Sequence, residues 1–262
     1  AKLLGYEGHP YNALLNEYEP GATVEMIDEL FVGVKSSLLQ LLDKINASQK
    51  PVNSFAGKKF ETDPQWKMSV QFLEKMGYDF KAGRQDFAAH PFCTNFNSKD
   101  VRVTTRANED DIFDMLSSSI HEGGHALYEQ GLLVENYGLP AGTYISLGIH
   151  ESQSRLWENN VGRSQAFWKD NFPILKDAFP EDCKGLTAQD VFLTNNIIEP
   201  SFIRVQADEL TYHFHVMIRY ELEKRLMDGT LEVKDLKDEW NKMYSQYLGI
   251  EVTSDNQGVL QD

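Results

Sequence analysis

A chain of 262 residues, 41% hydrophobic and 25% charged, has the length for one large domain or two small ones around a sizeable core. Its 25 basic against 40 acidic residues leave a net charge of -15, which argues against nucleic acid or an anionic membrane as a partner unless the basic residues cluster. No apolar run approaches the ~20 residues needed to span a bilayer, residues 1–8 carry no signal-peptide core, and Cys93 and Cys183 stand in neither disulfide-framework nor metal spacing, so a reduced, cytoplasmic setting is expected.

Residues 1–22 read as loop with one short helix. Apolar residues from Val24 to Ile45 recur at three and four, which predicts an amphipathic helix from Thr23 to about Ile45. Asp63-Pro64 opens a second helix to about Met76, with Pro64 suited to its first turn. The pattern then changes: 92–96 and 101–105 read as short strands with a turn at 97–100, a small β-element around residues 92–105. Asn108 is placed as the N-cap of the next helix, followed by Glu109, Asp110 and Asp111 in its first turn and ending near Gly131.

That helix carries Ser119-Ile120-His121-Glu122-Gly123-Gly124-His125. Residues four apart share a helix face, so His121 and His125 can aim imidazole nitrogens at one metal ion, with Glu122 beside it. This is the H-E-x-x-H pattern of metallopeptidases, in which the carboxylate acts as general base towards a metal-activated water. The bland alternative is two histidines four apart by chance and a solvated Glu122. Against it stands Gly123-Gly124: two mid-helix glycines cost ~1 kcal/mol each relative to alanine, so something should approach closely there, either substrate or a covering strand.

After a loop at 132–143, a helix is expected from about Tyr144 to Val161 or beyond, and it supplies a third ligand. Adjacent helix positions diverge by ~100°, so His150 and Glu151 cannot both face the ion, and spacing alone does not choose between them. Glu151 can also serve simply as an ion-pair partner of Arg155. Further on, residues 167–179 are apolar with Pro173 as a break, Thr187 to Asp190 resemble a capping box opening a helix to Ile198, and helices are expected over roughly Val205–Met227 and Val233–Leu248. No repeat or linker divides residues 1–262, which read as one mostly α-helical domain.

Five stretches in order, His90-Pro91-Phe92, Asp100-Val101-Arg102-Val103-Thr104, His121 to His125, His150-Glu151-Ser152-Gln153 and Ile203-Arg204-Val205-Gln206-Ala207-Asp208, resemble the motifs of the carboxypeptidase Taq family of metallocarboxypeptidases. Gly258 to Asp262 resembles the start of that family's G-x-x-Q-D-x-H-W motif. The resemblance implies a multi-helix gluzincin-type fold similar to neurolysin and angiotensin-converting enzyme. It implies a Zn²⁺-dependent exopeptidase, with Co²⁺ a common substitute, that removes single residues from the C-terminus of peptide substrates. It selects Glu151 as third ligand, and it implies a homodimer. Family members are considerably longer, so the chain reads as part of a longer enzyme, without the N-terminal portion and the end of the last motif.

A carboxypeptidase must read a terminal carboxylate, for which arginine's planar fork is suited, and Arg204 and Arg102 are the candidates. The structural alternative pairs each with a nearby acid such as Asp208 or Asp100. His213 and His215, two apart on a helix, cannot share a metal by that spacing, and His213 is taken as a further substrate contact. His90 is expected to order the nearby strands, and Trp157, Phe167 and Trp168 to be core. Asp114 and Glu129 stand a turn or two from the ligands as candidates to orient their imidazoles. A related zinc endopeptidase or aminopeptidase, or an inactive peptide-binding remnant, is the alternative reading.

Overall fold

The computed structural model describes residues 1–261, so Asp262, the last residue of the Gly258 to Asp262 stretch, lies outside the described residues. In chain order the elements are α1 (Asn12–Tyr18), α2 (Val24–Asn46), α3 (Thr62–Met76), β1 (Gly83–Phe87), β2 (Cys93–Asn97), β3 (Asp100–Thr105) and α4 (Ile112–Gln130). There follow α5 (Leu147–Arg155), a π-helical turn (Leu156–Val161), α6 (Gln165–Ala178), α7 (Ala188–Asn195), α8 (Tyr212–Asp228) and α9 (Leu236–Leu248). The chain is mostly helical with one small sheet, as the periodicity predicts. Among the described residues no helix is long and apolar enough to cross a membrane.

These elements fall into two compact units, residues 51–196 and residues 1–50 with 197 onward. The first is built on α4. Its Ile112, Leu116 and Ile120 enter a core with Phe60, Phe72, Trp168 and Leu175, and Trp157 and Phe167 pack against it, as expected of those aromatics. On another side Ala126 meets Val101 and Val103 of β3. In the second unit Leu42 of α2 packs with Phe214, Ile218 and Leu222 of α8 and Trp240 and Tyr244 of α9.

The sheet has a strand more than the sequence suggests. β3 is central, antiparallel to β2 and parallel to β1, which pairs Gly83 with Val101 through to Phe87 with Thr105. β1 escapes notice because Gly-Arg-Gln-Asp-Phe lacks the β-branched alternation of a strand, and only Gln85 of it is buried. Its pairing is with β3, not with a sequence neighbour, so no local turn signals it.

Four of the boundaries that differ from expectation do so for a local reason. The cap of α4 is Asp111, which accepts from the Phe113 amide at 2.9 Å, whereas Asn108 makes a turn by accepting from Asp110 and donating to Asp114. α5 begins only after Ser146, whose hydroxyl accepts from the Ile149 amide. α6 runs through Pro173, because Trp168 and Leu175, both fully buried, anchor it on either side of the lost backbone bond. α8 starts at Tyr212, not near Val205, because the Asp208 carboxylate collects the amides of Glu199, Leu210 and Thr211 and holds the chain in a turn.

Candidate metal centre

Two helices bring the candidate ligands together. His121 and His125 lie one turn apart on α4, and α5 crosses close enough for Glu151 to face both. The Nε2 atoms of His121 and His125 stand 3.6 and 3.1 Å from Glu151 Oε2, and one ligand atom from each of the three lies within 4.8 Å of the others. Ligands at ~2.0–2.1 Å from a tetrahedral ion would be separated by ~3.3 Å, so these spacings fit a divalent metal without rearranging either helix.

The glycine pair explains the approach, and corrects the expectation of substrate or a strand over it. A Cβ on Gly124 would stand 2.6 Å from Ser154 Cα and 2.7 Å from the Gln153 carbonyl, so it is the backbone of α5 that needs the bare glycine. A Cβ on Gly123 would meet the side-chain ends of Leu73 and Met76 of α3. Gly124→Ala is expected to push α5 away at ~1–3 kcal/mol and to weaken any metal binding by the cluster, because Glu151 moves with that helix. Gly123→Ala, which meets only flexible side-chain tips, should cost less, and thermal unfolding with a zinc titration of both variants checks the order.

Each imidazole is oriented through its other nitrogen. His121 Nδ1 is 2.8 Å from Glu158 Oε2, which sits on the π-helical turn and also accepts from Arg155 at 3.1 Å. An ionised carboxylate only accepts, so Nδ1 carries a proton and Nε2 is the nitrogen turned towards the cluster. His125 Nδ1 is 2.6 Å from His150 Nδ1, and His150 Nε2 is 2.7 Å from Glu129. Glu158 is absent from the sequence reading. Its one signal is a carboxylate seven residues beyond Glu151, and only tertiary structure shows that it reaches His121. Of the two candidates for orienting imidazoles, Glu129 touches His150, while Asp114 is held by Arg106 in a two-pronged pair and by Asn108.

The electrostatics separate the carboxylates. Glu122, 7% exposed, is raised to about 7, first by burial, with the charges of Glu151 and Glu158 adding and His121 opposing. Burial also opposes ionisation of Glu151, but the His125 bond and the charges of His121 and Arg155 outweigh it and hold that group down at about 2. Glu151 is thus the ionised partner of the imidazoles, and Arg155 pairs with its other oxygen at 3.0 Å, so the ion pair leaves Oε2 turned to the histidines.

The remaining candidates lie apart from this cluster or in other company. Arg102 on β3 is exposed and forked onto Asp100 by two 2.8 Å bonds, the structural alternative. Arg204 and His213 belong to the unit formed by residues 1–50 and 197 onward. There Arg204 donates to the Tyr212 hydroxyl and its amide to Gln261, and His213 is exposed at the start of α8 beside the Tyr212 ring. His215 faces the other way, buried against Tyr244, as a spacing of two on a helix requires. His90 is exposed and bonds the Pro91 carbonyl.

Comparison with known proteins agrees with this geometry. A family model described as carboxypeptidase Taq (M32) metallopeptidase matches residues 1–262. Carboxypeptidase 1 of Bacillus subtilis is 44% identical over 259 residues, covering 98% of this chain and 52% of that protein. Thermostable carboxypeptidase 1 of Thermus thermophilus is 43% identical over 256 residues, 97% of this chain and 50% of its own length. The crystal structure of an M32 carboxypeptidase from Deinococcus radiodurans superposes with a TM-score of 0.94 at 44% identity, over 98% of this chain and 52% of the other. The chain therefore spans about half the length of the relatives it matches.

Proposed function

The chain belongs to the carboxypeptidase Taq (M32) family of metallopeptidases, and we propose that it carries the centre of a zinc-dependent carboxypeptidase that releases single residues from the C-terminus of peptides. The observation that carries this reading is the convergence of His121, His125 and Glu151, two oriented imidazoles and an ionised carboxylate, with Glu122 next to the first of them on α4. Zn²⁺, or Co²⁺ in its place, would be held by those three side chains, and when bound it lowers the pKa of a water towards ~7 and polarises a carbonyl.

The chain's own residues do the rest. Glu122 takes the proton of the attacking water on a carboxylate oxygen and delivers it to the departing amine. Glu158 keeps His121 in the Nδ1–H tautomer throughout. Glu151 stays charged because Arg155 holds its second oxygen. Recognition of the substrate's terminal carboxylate is assigned to Arg204, with His213 as a further contact, on the strength of the motif likeness alone. Arg102 is the weaker candidate, since it would have to release Asp100. A homodimer in the cytoplasm accompanies the same likeness.

The test is mass spectrometry of N-blocked peptides incubated with the zinc-loaded chain, with Glu122→Gln as control. Loss of residues one at a time from the C-terminus, by the wild type only, is expected. Internal cuts would make the chain an endopeptidase, and intact peptides despite bound zinc would make it a peptide-binding remnant; either result overturns the carboxypeptidase reading.

A further inference from the structure

We infer that His150 and Glu129 are positioning residues for His125, fixing through two hydrogen bonds the tautomer in which its Nε2 can bind metal. The inference rests on the metal reading of the cluster and deepens it. It starts at Glu129, which is 4% exposed near the C-terminal end of α4, four residues beyond His125. Glu129 Oε2 accepts from the Asn95 side chain of β2 at 2.7 Å, and Oε1 is 2.7 Å from His150 Nε2. Both oxygens act as acceptors, so His150 carries its proton on Nε2.

A neutral imidazole with its proton on Nε2 offers a lone pair on Nδ1. That atom is 2.6 Å from His125 Nδ1, and a bond so short requires His125 to donate. With a metal ion on Nε2, the atom that otherwise faces the Glu151 carboxylate at 3.1 Å, that donation leaves the Nε2 lone pair to the ion. Reversing any link would put a proton on Nε2, where a metal must bind. The ring of His150 is held for this by Tyr128 and Tyr144, whose centroids lie 5.0 and 5.3 Å away.

The two imidazoles of the cluster are therefore oriented differently. His121 is bonded to a carboxylate directly, whereas His125 reaches one through an interposed imidazole. This gives His150 a task although its neighbour Glu151, not His150 itself, faces the cluster. It also gives one to Asn95, which ties the buried carboxylate to the sheet.

Calorimetric titration of the full chain with Zn²⁺ alone tests this. His150→Phe and Glu129→Met are each expected to weaken zinc binding by ~10–100-fold. His150→Asn, whose amide oxygen can take the place of Nδ1, should recover most of that loss. A space-filling role for His150 predicts the reverse, because Phe fills the ring's volume better than Asn. Proton spectra of the zinc-loaded chain provide a second readout: the His125 Nδ1 proton should be hydrogen-bonded and slow to exchange in the wild type and exchange faster in His150→Phe.

Affinities of both His150→Phe and Glu129→Met within about twofold of wild type, Phe binding zinc better than Asn, or a fast-exchanging His125 Nδ1 proton in the zinc-loaded wild type would each overturn the relay. If His150→Phe does not fold, Glu129→Met and His150→Asn decide the matter. Failure of the metal reading looks different: no zinc bound by the wild type. In that case the relay falls with the metal reading it rests on.

Discussion

Glu122→Gln is expected to lower the rate of C-terminal residue release by ~10²–10⁴ while leaving zinc affinity nearly unchanged. The substitution is isosteric and touches no hydrogen bond that orients His121 or His125, which run to Glu158 and His150. What it removes is a proton acceptor. A buried carboxylate is needed there because water cannot compete for its oxygens, and burial is also what raises its pKa. The charge of Glu122 acts on Cys93 of β2 too: burial first, then Glu122 and Glu129, push that thiol up to about 12. Steady-state rates on an N-blocked dipeptide, with zinc affinity measured in parallel, check the prediction. Activity within a few-fold of wild type would remove Glu122 from the mechanism.

The proposed separation of roles between Glu122 and the candidate ligands follows from helix geometry, and that is why so much of the candidate centre is legible from the residues. Positions four apart share a face whatever the tertiary structure, so His121 and His125 could be paired at sight. The glycine pair, the capping box at Thr187 with Asp190 and the long amphipathic α2 are likewise local signals, and the structure bears them out. The helical, gluzincin-type architecture follows from the same periodicities together with the family resemblance.

What was not legible depends on distant partners. The choice of Glu151 over His150 needed the resemblance, because only the crossing of α4 and α5 decides which of two adjacent side chains faces the histidines. The bond of Glu158 to His121, and the route from Glu129 to His125 through His150, arise from packing alone. β1 pairs across an intervening strand, and the late start of α8 comes from one side chain, Asp208, gathering amides on both sides of it. Propensity is silent on each of these, since none is encoded within a single turn or hairpin.

Glu151→Ala is expected to weaken zinc binding by more than the ~10–100-fold that loss of an orienting residue costs, because it removes one of three donors. Fold stability should hardly change. The Glu151 side chain is 43% exposed, and its pair with Arg155 spans one helical turn near solvent, where such pairs contribute ~0–1 kcal/mol. Ser154 loses an acceptor but keeps its bond to the Glu151 carbonyl. Arg155→Met makes the complementary case. It keeps the donor but releases both Glu151 and Glu158 from their shared guanidinium, so affinity should fall within the smaller range. The two variants together separate holding the ion from holding the ligand. Zinc titrations paired with thermal unfolding of the metal-free chain read both quantities. If Glu151→Ala bound zinc as the wild type does, the third ligand would have to lie elsewhere, and the convergence of Glu151 with the two histidines would be an ion-pair network and nothing more.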